Sequence, residues 1–282
     1  MSTSADQTDS SKGYVLGHSE RELSRLKAQA RMIDPITKRF FQAAGVGASM
    51  RVLDVGSGAG DVAFLAAELV GTSGAVMGVD RVAGALEEAR RRAVVQSLRN
   101  VTFRVGDPAE INFEQPFDAI VGRYVLMFQS DPAAMLRKLA RHVRPGGVIG
   151  FHEIDWRGLN SIPPVPTFDL CCRWGAEALR HAGHETRMGP KMHAAFVQAG
   201  LPTPTMRLEA LVGGVPNGDD VFHLLAGVIE TLIPEIERSG VATATEVGAD
   251  TLVERMSNEA KERDSTVIGH NQIAAWSRTS AA

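Results

Sequence analysis

Three glycines at alternate positions follow a short apolar strand and precede an amphipathic helix. They are Gly56, Gly58 and Gly60, and Asp54 lies inside the strand two residues before the first of them. Glycine tolerates positive φ and lets the backbone approach a ligand closely, and the start of the helix leaves further N–H groups free. The pattern therefore predicts a βαβ unit with a nucleotide bound at its turn.

Two carboxylates indicate which nucleotide this is. The dinucleotide fingerprint is Gly-x-Gly-x-x-Gly, and here the third glycine comes one position early. Asp54 beside a helix N-terminus would repel a pyrophosphate and suits a ligand with an ammonium group. Asp80 ends the second predicted strand, where a carboxylate can accept hydrogen bonds from both ribose hydroxyls. A ligand with a ribose and an ammonium group is S-adenosylmethionine (SAM), and the spacing argues against a nicotinamide cofactor.

Four motifs in register resemble those of the class I SAM-dependent methyltransferases. They are Leu53-Asp-Val-Gly-Ser-Gly-Ala-Gly60, Gly78-Val-Asp80, Gly106-Asp107 and Arg144-Pro-Gly-Gly147. The chain is most similar to the ubiquinone-biosynthesis-like and natural-product branch of that family. The resemblance implies an α/β fold with a Rossmann-like, doubly wound, seven-stranded and mostly parallel sheet. It also implies an N-terminal helical segment, a helical lid and an antiparallel last strand.

The resemblance, together with the glycine and proline residues that break helices and strands, divides the chain into parts. The expected parts are a disordered tail at 1–12, an N-terminal helical cap at 13–47, the SAM-binding core at 48–156, a lid insertion at 157–187, and the rest of the core at 188–282 with a further helical lid at 219–263. Pro35 is expected to end a first helix before a second from Ile36 to Ala44, and Pro234 to break the helix that begins at Asp220. Strands six and seven are expected at Met206–Val212 and Val267–Trp276.

The resemblance also assigns a cofactor site residue by residue. Asp107 would accept a hydrogen bond from the adenine amino group, although Gly-Asp-Pro is also a good turn sequence. Tyr14 would close over the methionine end of SAM or line the pocket of the methyl acceptor, or else pack its helix onto the sheet. The predicted set comprises Tyr14, Asp54, Gly56, Ser57, Gly58, Gly60, Asp80, Arg81, Gly106, Asp107, Pro108 and Arg123.

The catalytic candidates, His152 and Glu153, lie at the carboxyl end of the predicted fifth strand. Neighbouring strand residues face opposite sides, so one of the two should reach the methyl acceptor. His152 suits the removal of a proton from a hydroxyl near neutral pH, but alignment alone can drive methyl transfer, and His152 would then be a packed structural residue. The residues predicted to bind the methyl acceptor are Tyr124, His152, Trp174 and Phe222, with Trp174 also explicable as a core residue.

Composition limits the alternatives. The 282 residues carry a net charge of −3, so the chain lacks the excess of basic residues that would predict nucleic-acid binding. No apolar run is long enough to span a bilayer. Cys171 and Cys172 are adjacent and match no metal-ligand spacing, so no metal is predicted. We expect a cytoplasmic enzyme acting on a small molecule, and a homodimer stays open.

The sequence thus predicts methyl transfer from SAM to a small molecule, with S-adenosylhomocysteine (SAH) as the product. His152 favours O-methylation, and apolar residues of the lid favour an apolar or aromatic metabolite; C- or N-methylation is the alternative. The sequence contains neither an Asn/Asp-Pro-Pro-Tyr/Phe motif nor a Pro-Cys pair, so it lacks the motifs that would identify the methyl acceptor. A decarboxylase or cyclase that keeps SAM intact, or a non-catalytic SAM-binding scaffold, stays open because all would share the cofactor site.

Overall fold

A computed structural model describes residues 20–214 and 219–280 of the chain. Helices and strands alternate through the first half, as the glycine-turn pattern predicts. In chain order the elements are α1 (Glu20–Ala44), β1 (Arg51–Val55), α2 (Asp61–Val70), β2 (Ala75–Asp80), α3 (Ala83–Val95), β3 (Val101–Val105), β4 (Phe117–Arg123), α4 (Pro132–Ala140), β5 (Val143–Asp155), β6 (Asn160–Ile162), α5 (Pro166–His181), α6 (Met188–Gln198), β7 (Thr205–Glu209), β8 (Val212–Gly214), α7 (Asp219–Arg238), α8 (Ala244–Val247), α9 (Leu252–Glu262), β9 (Thr266–Ile268) and β10 (Asn271–Arg278). Single turns of 3₁₀ helix lie at Leu126–Phe128, Trp156–Gly158 and Ala249–Thr251.

The main sheet has seven strands in the order β3-β2-β1-β4-β5-β10-β7. The first five are parallel, and β10 runs antiparallel to both β5 and β7. This confirms the predicted α/β class and the antiparallel last strand. The order changes direction between β1 and β4, and ligands of such sheets bind outside the carboxyl ends of the strands at this point.

Two hydrophobic clusters cover the two faces of the sheet. One joins α1 and α2 to the sheet through residues such as Phe40, Val62 and Val121. The other begins under Leu53 and Ile120 and continues without a break into α5, α7 and α9. The helices that follow β5 therefore share a core with the sheet.

Two prolines do not end their helices, and both predictions were wrong. Helix α1 continues through Pro35, and α7 continues through Pro234. An internal proline costs a helix about 3 kcal/mol, but both flanks here carry buried residues, such as Ile33 and Ile36 around Pro35. Packing of the two flanks outweighs the local cost.

The last predicted strands were wrong in their boundaries. Strand β7 ends at Glu209, and Val212 begins β8, which lies in a second sheet of order β6-β9-β8. The segment predicted as one strand from Val267 to Trp276 is divided at Gly269 and His270 between β9 and β10, which lie in different sheets. Among the described residues, no helix combines the length and the apolar character that crossing a membrane requires.

Candidate cofactor and methyl-acceptor site

The glycine-rich turn joins β1 to α2 beside the switch point of the sheet. Gly56, Gly58 and Gly60 have φ angles of 66°, 49° and 93°, a region that residues with a side chain rarely adopt. The turn is tied to β2, because the N–H groups of Gly56 and Ser57 donate to the Val79 carbonyl at 2.8 and 3.1 Å. A Cβ on Gly58 would meet no protein atom within 4 Å, so this side of the turn is open to a ligand.

Asp54 is a buried carboxyl group without a hydrogen bond. It is 1% exposed, and neither side-chain oxygen has a partner among the described residues. Burial raises the pKa of Asp54 well above its usual range; Arg123 opposes this shift, while Asp80 and Asp61 add to it. A buried unpaired acid is costly, and a cationic group at this point would relieve the cost. The site therefore fits the ammonium group of SAM.

Asp80 supports the turn from the end of β2. Its Oδ2 accepts a hydrogen bond from the Gly58 N–H at 2.8 Å, and its Oδ1 accepts one from the Val82 N–H at 2.9 Å. A carboxylate oxygen can accept two hydrogen bonds, so both oxygens keep capacity for ribose hydroxyls. The ribose contact stays a prediction, and the bond to the turn is a role that the sequence did not reveal.

Asp107 and Arg81 form an ion pair beside the end of β3. Arg81 Nη2 donates to Asp107 Oδ2 at 2.6 Å, and Asp107 Oδ1 accepts from the Ala109 N–H at 2.9 Å. The second bond closes the turn that contains Gly106 and Pro108, so Asp107 has the turn-forming role that its sequence also allowed. The adenine contact stays a prediction, in which the adenine amino group would share this carboxylate with Arg81.

Arg123 ends β4 and directs its side chain toward α1. The guanidinium donates to Asp34 Oδ1 at 2.7 Å and to Thr37 Oγ1 at 3.1 Å, and the side chain is 7% exposed. The family resemblance implies that the backbone near Arg123 lies against the methionine part of SAM, which stays a prediction. The ion pair that joins α1 to the site was missed, because no local pattern links Asp34 to Arg123.

His152 lies fully buried on the α1 face of β5. The Thr37 hydroxyl donates to the Ile33 carbonyl at 3.2 Å, and its oxygen lies 3.0 Å from His152 Nδ1. In the tautomer in which the Thr37 hydroxyl donates to Ile33, Nδ1 carries the ring proton and Nε2 is a hydrogen-bond acceptor. Nε2 has no partner among the described residues. Burial and the charge of Arg123 lower the pKa of His152 to about 3, with the nearby Gln272 side chain acting in the opposite direction, so the ring is neutral at physiological pH.

Tyr124 follows β4 and reaches toward the start of β10. Its φ is +57°, a strained value that is frequent at binding sites. Its hydroxyl donates to Gln272 Oε1 at 2.5 Å, and its ring centroid lies 5.6 Å from that of His152. The sequence missed Gln272, because this contact joins residues 148 positions apart and glutamine in a strand carries no signal of its own.

Glu153 faces the opposite side of the sheet from His152, as strand alternation predicts. It is fully buried, and its Oε1 accepts hydrogen bonds from the N–H groups of Val125 and Leu126 at 2.8 and 2.7 Å. Burial raises the pKa of Glu153 to about 7, although these N–H groups favour the ionised form. The carboxyl group therefore holds the segment that follows Tyr124, and its role as a catalytic base stays a prediction.

The other residues predicted to bind the methyl acceptor or SAM lie away from the polar side chains around His152, or outside the described chain. Trp174 on α5 is 6% exposed, and Phe222 on α7 is fully buried with its ring 5.9 Å from that of Phe168. Both belong to the hydrophobic cluster under the sheet, which agrees with the structural alternative for Trp174. Their contact with a methyl acceptor stays a prediction. Tyr14 lies outside the described residues.

Known proteins place this fold and cofactor site in one family. A family model described as a methyltransferase domain matches residues 47–187, which is half of the chain. The chain belongs to this methyltransferase family, and its fold and motifs are those of the class I SAM-dependent branch. SAM is accordingly its cofactor, and the open glycine turn and the unpaired Asp54 fit that ligand.

Three of the curated relatives are named as methyltransferases of natural products or quinones. The aklanonic acid methyltransferase DauC of Streptomyces sp. (strain C5) is 38% identical over 117 residues, covering 41% of this chain and 53% of that protein. The nocamycin O-methyltransferase of Saccharothrix syringae is 29% identical over 65% of this chain and 59% of that protein. The ubiquinone/menaquinone C-methyltransferase UbiE of Cellvibrio japonicus is 29% identical over 65% of this chain and 82% of that protein. The chain thus spans between half and three fifths of the length of the first two.

A solved structure confirms the fold over most of the chain. The (4+2)-cyclase SpnF superimposes with a TM-score of 0.55 over 88% of this chain and 81% of that one, at 19% identity. Identity at this level supports the shared fold and says nothing about the reaction.

Proposed function

We propose that this protein transfers a methyl group from SAM to a hydroxyl oxygen of a small apolar or aromatic metabolite. The observation that carries the proposal is the unpartnered, buried Nε2 of His152 beside Tyr124, which accepts a hydrogen bond in the tautomer with the proton on Nδ1. A hydroxyl group can donate this hydrogen bond and is also the nucleophile of an O-methylation. The name of the nocamycin relative, an O-methyltransferase, supports the same oxygen chemistry.

The side chains at the site divide the work of this reaction. When bound, SAM supplies a methyl group on a positively charged sulfur, which is displaced in line to leave SAH. Asp54 balances positive charge in a dry site, and Gly58 admits the ligand to the turn. His152 Nε2 orients the hydroxyl and takes its proton as the new oxygen–carbon bond forms. Because the pKa of His152 is low, the proton moves late, and alignment carries most of the rate.

Methylation of carbon or nitrogen is the alternative within the same class. The C-methyltransferase name of the UbiE relative supports a carbon acceptor, and His152 would then orient a ring hydroxyl next to the reacting carbon. A decarboxylase or cyclase that keeps SAM intact shares the cofactor site as well.

One assay separates these reactions. The protein is incubated with SAM carrying an isotope-labelled methyl group and with a metabolite extract, and SAH and labelled products are followed by mass spectrometry and NMR. We expect SAH to form in step with a labelled methyl ether. A label on carbon or nitrogen supports the alternatives, and a product that forms without SAH overturns methyl transfer altogether.

His152→Ala tests the role of the imidazole. We expect kcat to fall about 10- to 100-fold, below the full range for a general base because alignment contributes most of the rate, while SAH affinity measured by calorimetry stays unchanged. His193→Ala, at an exposed histidine of α6, is the control and should retain kcat. An unchanged kcat in His152→Ala would contradict the assigned role.

A further inference from the structure

Polar side chains at alternate positions form a row that starts at His152 on the α1 face of the sheet and ends at Trp156, which packs in the hydrophobic cluster of the helices that follow β5. The register pairs His152 with Ala274 and Ile154 with Gln272, and it ends at Asp155 and Asn271. Just beyond that end, the ring centroids of Trp156 and His270 lie 4.4 Å apart. Gln272 Nε2 also donates to the His270 carbonyl at 3.4 Å. We call Tyr124, His152, Trp156, His270 and Gln272 the polar row.

The polar row contains unsatisfied hydrogen-bonding atoms at both ends. His152 Nε2 lies at one end, and Trp156 Nε1 and His270 Nε2 lie at the other; none has a hydrogen-bond partner among the described residues. His152, Trp156 and His270 are all more than nine-tenths buried. Buried polar atoms are nearly always paired, so these three atoms indicate a ligand that supplies their partners.

The polar row carries no net charge. Burial lowers the pKa of His270 to about 4, and His152 is neutral for the reasons given above. Arg123 is the charged side chain that acts on the pKa of His152, and none acts on that of His270. The Arg123 guanidinium is paired with Asp34, and next to Trp156 the side chains of Asp155 and Arg187 form an ion pair. An amine, phosphate or carboxylate at this place would need an opposite charge to replace its hydration, and these charged side chains beside the row are already paired with each other.

The backbone spacing of residues 152 and 156 indicates the length of the ligand. Residues 152 and 156 are four positions apart, which is about 13 Å along an extended strand. A single ring does not reach that far, whereas three fused rings with an oxygen at each end do. At the far end, Trp156 Nε1–H is a donor and requires an acceptor such as a carbonyl or hydroxyl oxygen.

We infer that the polar row binds the methyl acceptor, and that this acceptor is an uncharged, elongated ring compound. Its reacting hydroxyl donates to His152 Nε2, and an oxygen at its opposite end accepts from Trp156 Nε1–H. Tyr124 and Gln272 hold the middle of the row in place. This inference rests on the proposed function for the position of the reacting hydroxyl, and it adds the charge, the length and the far contact of the substrate.

Coloured anthraquinones provide matched probes for this inference. Three are titrated into the SAH-loaded full-length protein and followed by absorbance: one with hydroxyls at opposite ends, one with a single hydroxyl, and one in which the far hydroxyl is replaced by a sulfonate. We expect the two-ended hydroxyanthraquinone to bind about tenfold more tightly than the single hydroxyl, as for one lost hydrogen bond, and the sulfonate to bind weakest.

Variants locate the far contact. Trp156→Phe keeps the ring and removes the N–H donor, so it should abolish the advantage of the second hydroxyl while SAH affinity stays unchanged. Trp276→Phe, on the same face of β10 but packed against Phe40, is the control and should keep that advantage. Circular dichroism confirms that both variants are folded.

The outcomes separate this inference from the proposed function. Equal binding of the sulfonate, a Trp156→Phe variant that keeps the advantage of the second hydroxyl, or no binding of any of these probes would overturn the inference, even if methyl transfer occurs with another compound. Absence of SAH binding would overturn the proposed function instead.

Discussion

Asp54 should make the free energy of folding less favourable and the free energy of ligand binding more favourable. In the free protein its carboxyl group is buried and unpaired, which opposes folding. With a cationic ligand beside it, the same group gains a partner in a site from which water is excluded. The unpaired Asp54 therefore lowers the stability of the free protein at the position where the predicted ligand carries its ammonium group.

Asp54→Asn should separate the two effects. We expect the free protein to become more stable toward urea, and the gain to grow as pH rises, because the native state opposes ionisation of this acid. SAH should bind about 10- to 100-fold more weakly, as for a lost hydrogen bond to a charged group. Asp118→Asn removes an acid at the opposite end of the strands, which accepts from the Arg51 N–H, and should leave SAH affinity unchanged. Equal SAH affinity in Asp54→Asn and the wild type would contradict the assignment.

The residues predicted to touch the cofactor belong to a pattern that is visible in the sequence, and the partners that the structure gives the site do not. Asp54, Gly58 and Asp80 lie in one local motif whose geometry is set by strand, turn and helix. Thr37 and Gln272 are ordinary residues of a helix and a strand, and only the packing of α1 and β10 onto β5 brings them to His152. Their contacts depend on sequence-distant pairing, for which a single sequence contains no periodic signal.

At the scale of elements, one buried acid holds the segment after β4. Glu153 lies on β5 and binds two N–H groups at the start of the 3₁₀ turn Leu126–Phe128. This fixes the chain that leaves Tyr124 at its strained φ. The group that positions this part of the site is thus on the face of the sheet opposite to the site itself.

Glu153→Gln should reveal this role through pH. The native pKa of about 7 lies above the ordinary value of 4.5, so wild-type stability falls as pH rises from 4.5 to about 7 and is level above that. The shift corresponds to a loss on the order of 3 kcal/mol. Glutamine offers the same acceptor oxygen without titrating, so in urea unfolding the variant should match the wild type near pH 4.5 and exceed it near pH 8.

Turnover of Glu153→Gln also decides whether Glu153 positions the backbone or acts as a base, and its stability profile has an outcome that would contradict the burial of Glu153. A difference in stability that does not change with pH would show that the carboxyl group is not buried as described. Retained turnover would agree with a group that only holds the backbone, and loss of turnover at unchanged SAH affinity would favour the predicted base.

The elements themselves show where sequence patterns stop being informative. Strands β1 to β5 and helices α2 to α4 follow from alternating glycine turns and apolar runs. The predictions at Pro35 and Pro234 were wrong because the sequence shows the helix-breaking residue but not the packing of the helix on either side of it. The small sheet β6-β9-β8 was missed because its three strands have three residues each and are stabilised mainly by pairing between distant segments.

At the scale of the whole molecule, the helices after β5 are not a separate body. One hydrophobic cluster runs from Leu53 and Ile120 in the sheet through Phe168 on α5 and Phe222 on α7 to Met256 on α9. Helices that share a core in this way are expected to unfold together with the sheet. Closure over a ligand would then need local rearrangement rather than movement of a detached lid.

Phe222→Ala tests that continuity. Removing a fully buried phenylalanine should destabilise the protein by about 3–5 kcal/mol, whereas Leu208→Ala, at a side chain that is 55% exposed, should have little effect. In a Trp276→Phe background the remaining tryptophans, Trp156 and Trp174, lie in the helical layer, so their fluorescence reports on that layer while backbone circular dichroism reports on the whole chain. Both signals are followed in urea. If the core is shared, the fluorescence and circular dichroism transitions of Phe222→Ala both shift to lower urea and coincide with each other. If fluorescence changes at a lower urea concentration than circular dichroism, the helical layer unfolds by itself, and Phe222 stabilises only that layer.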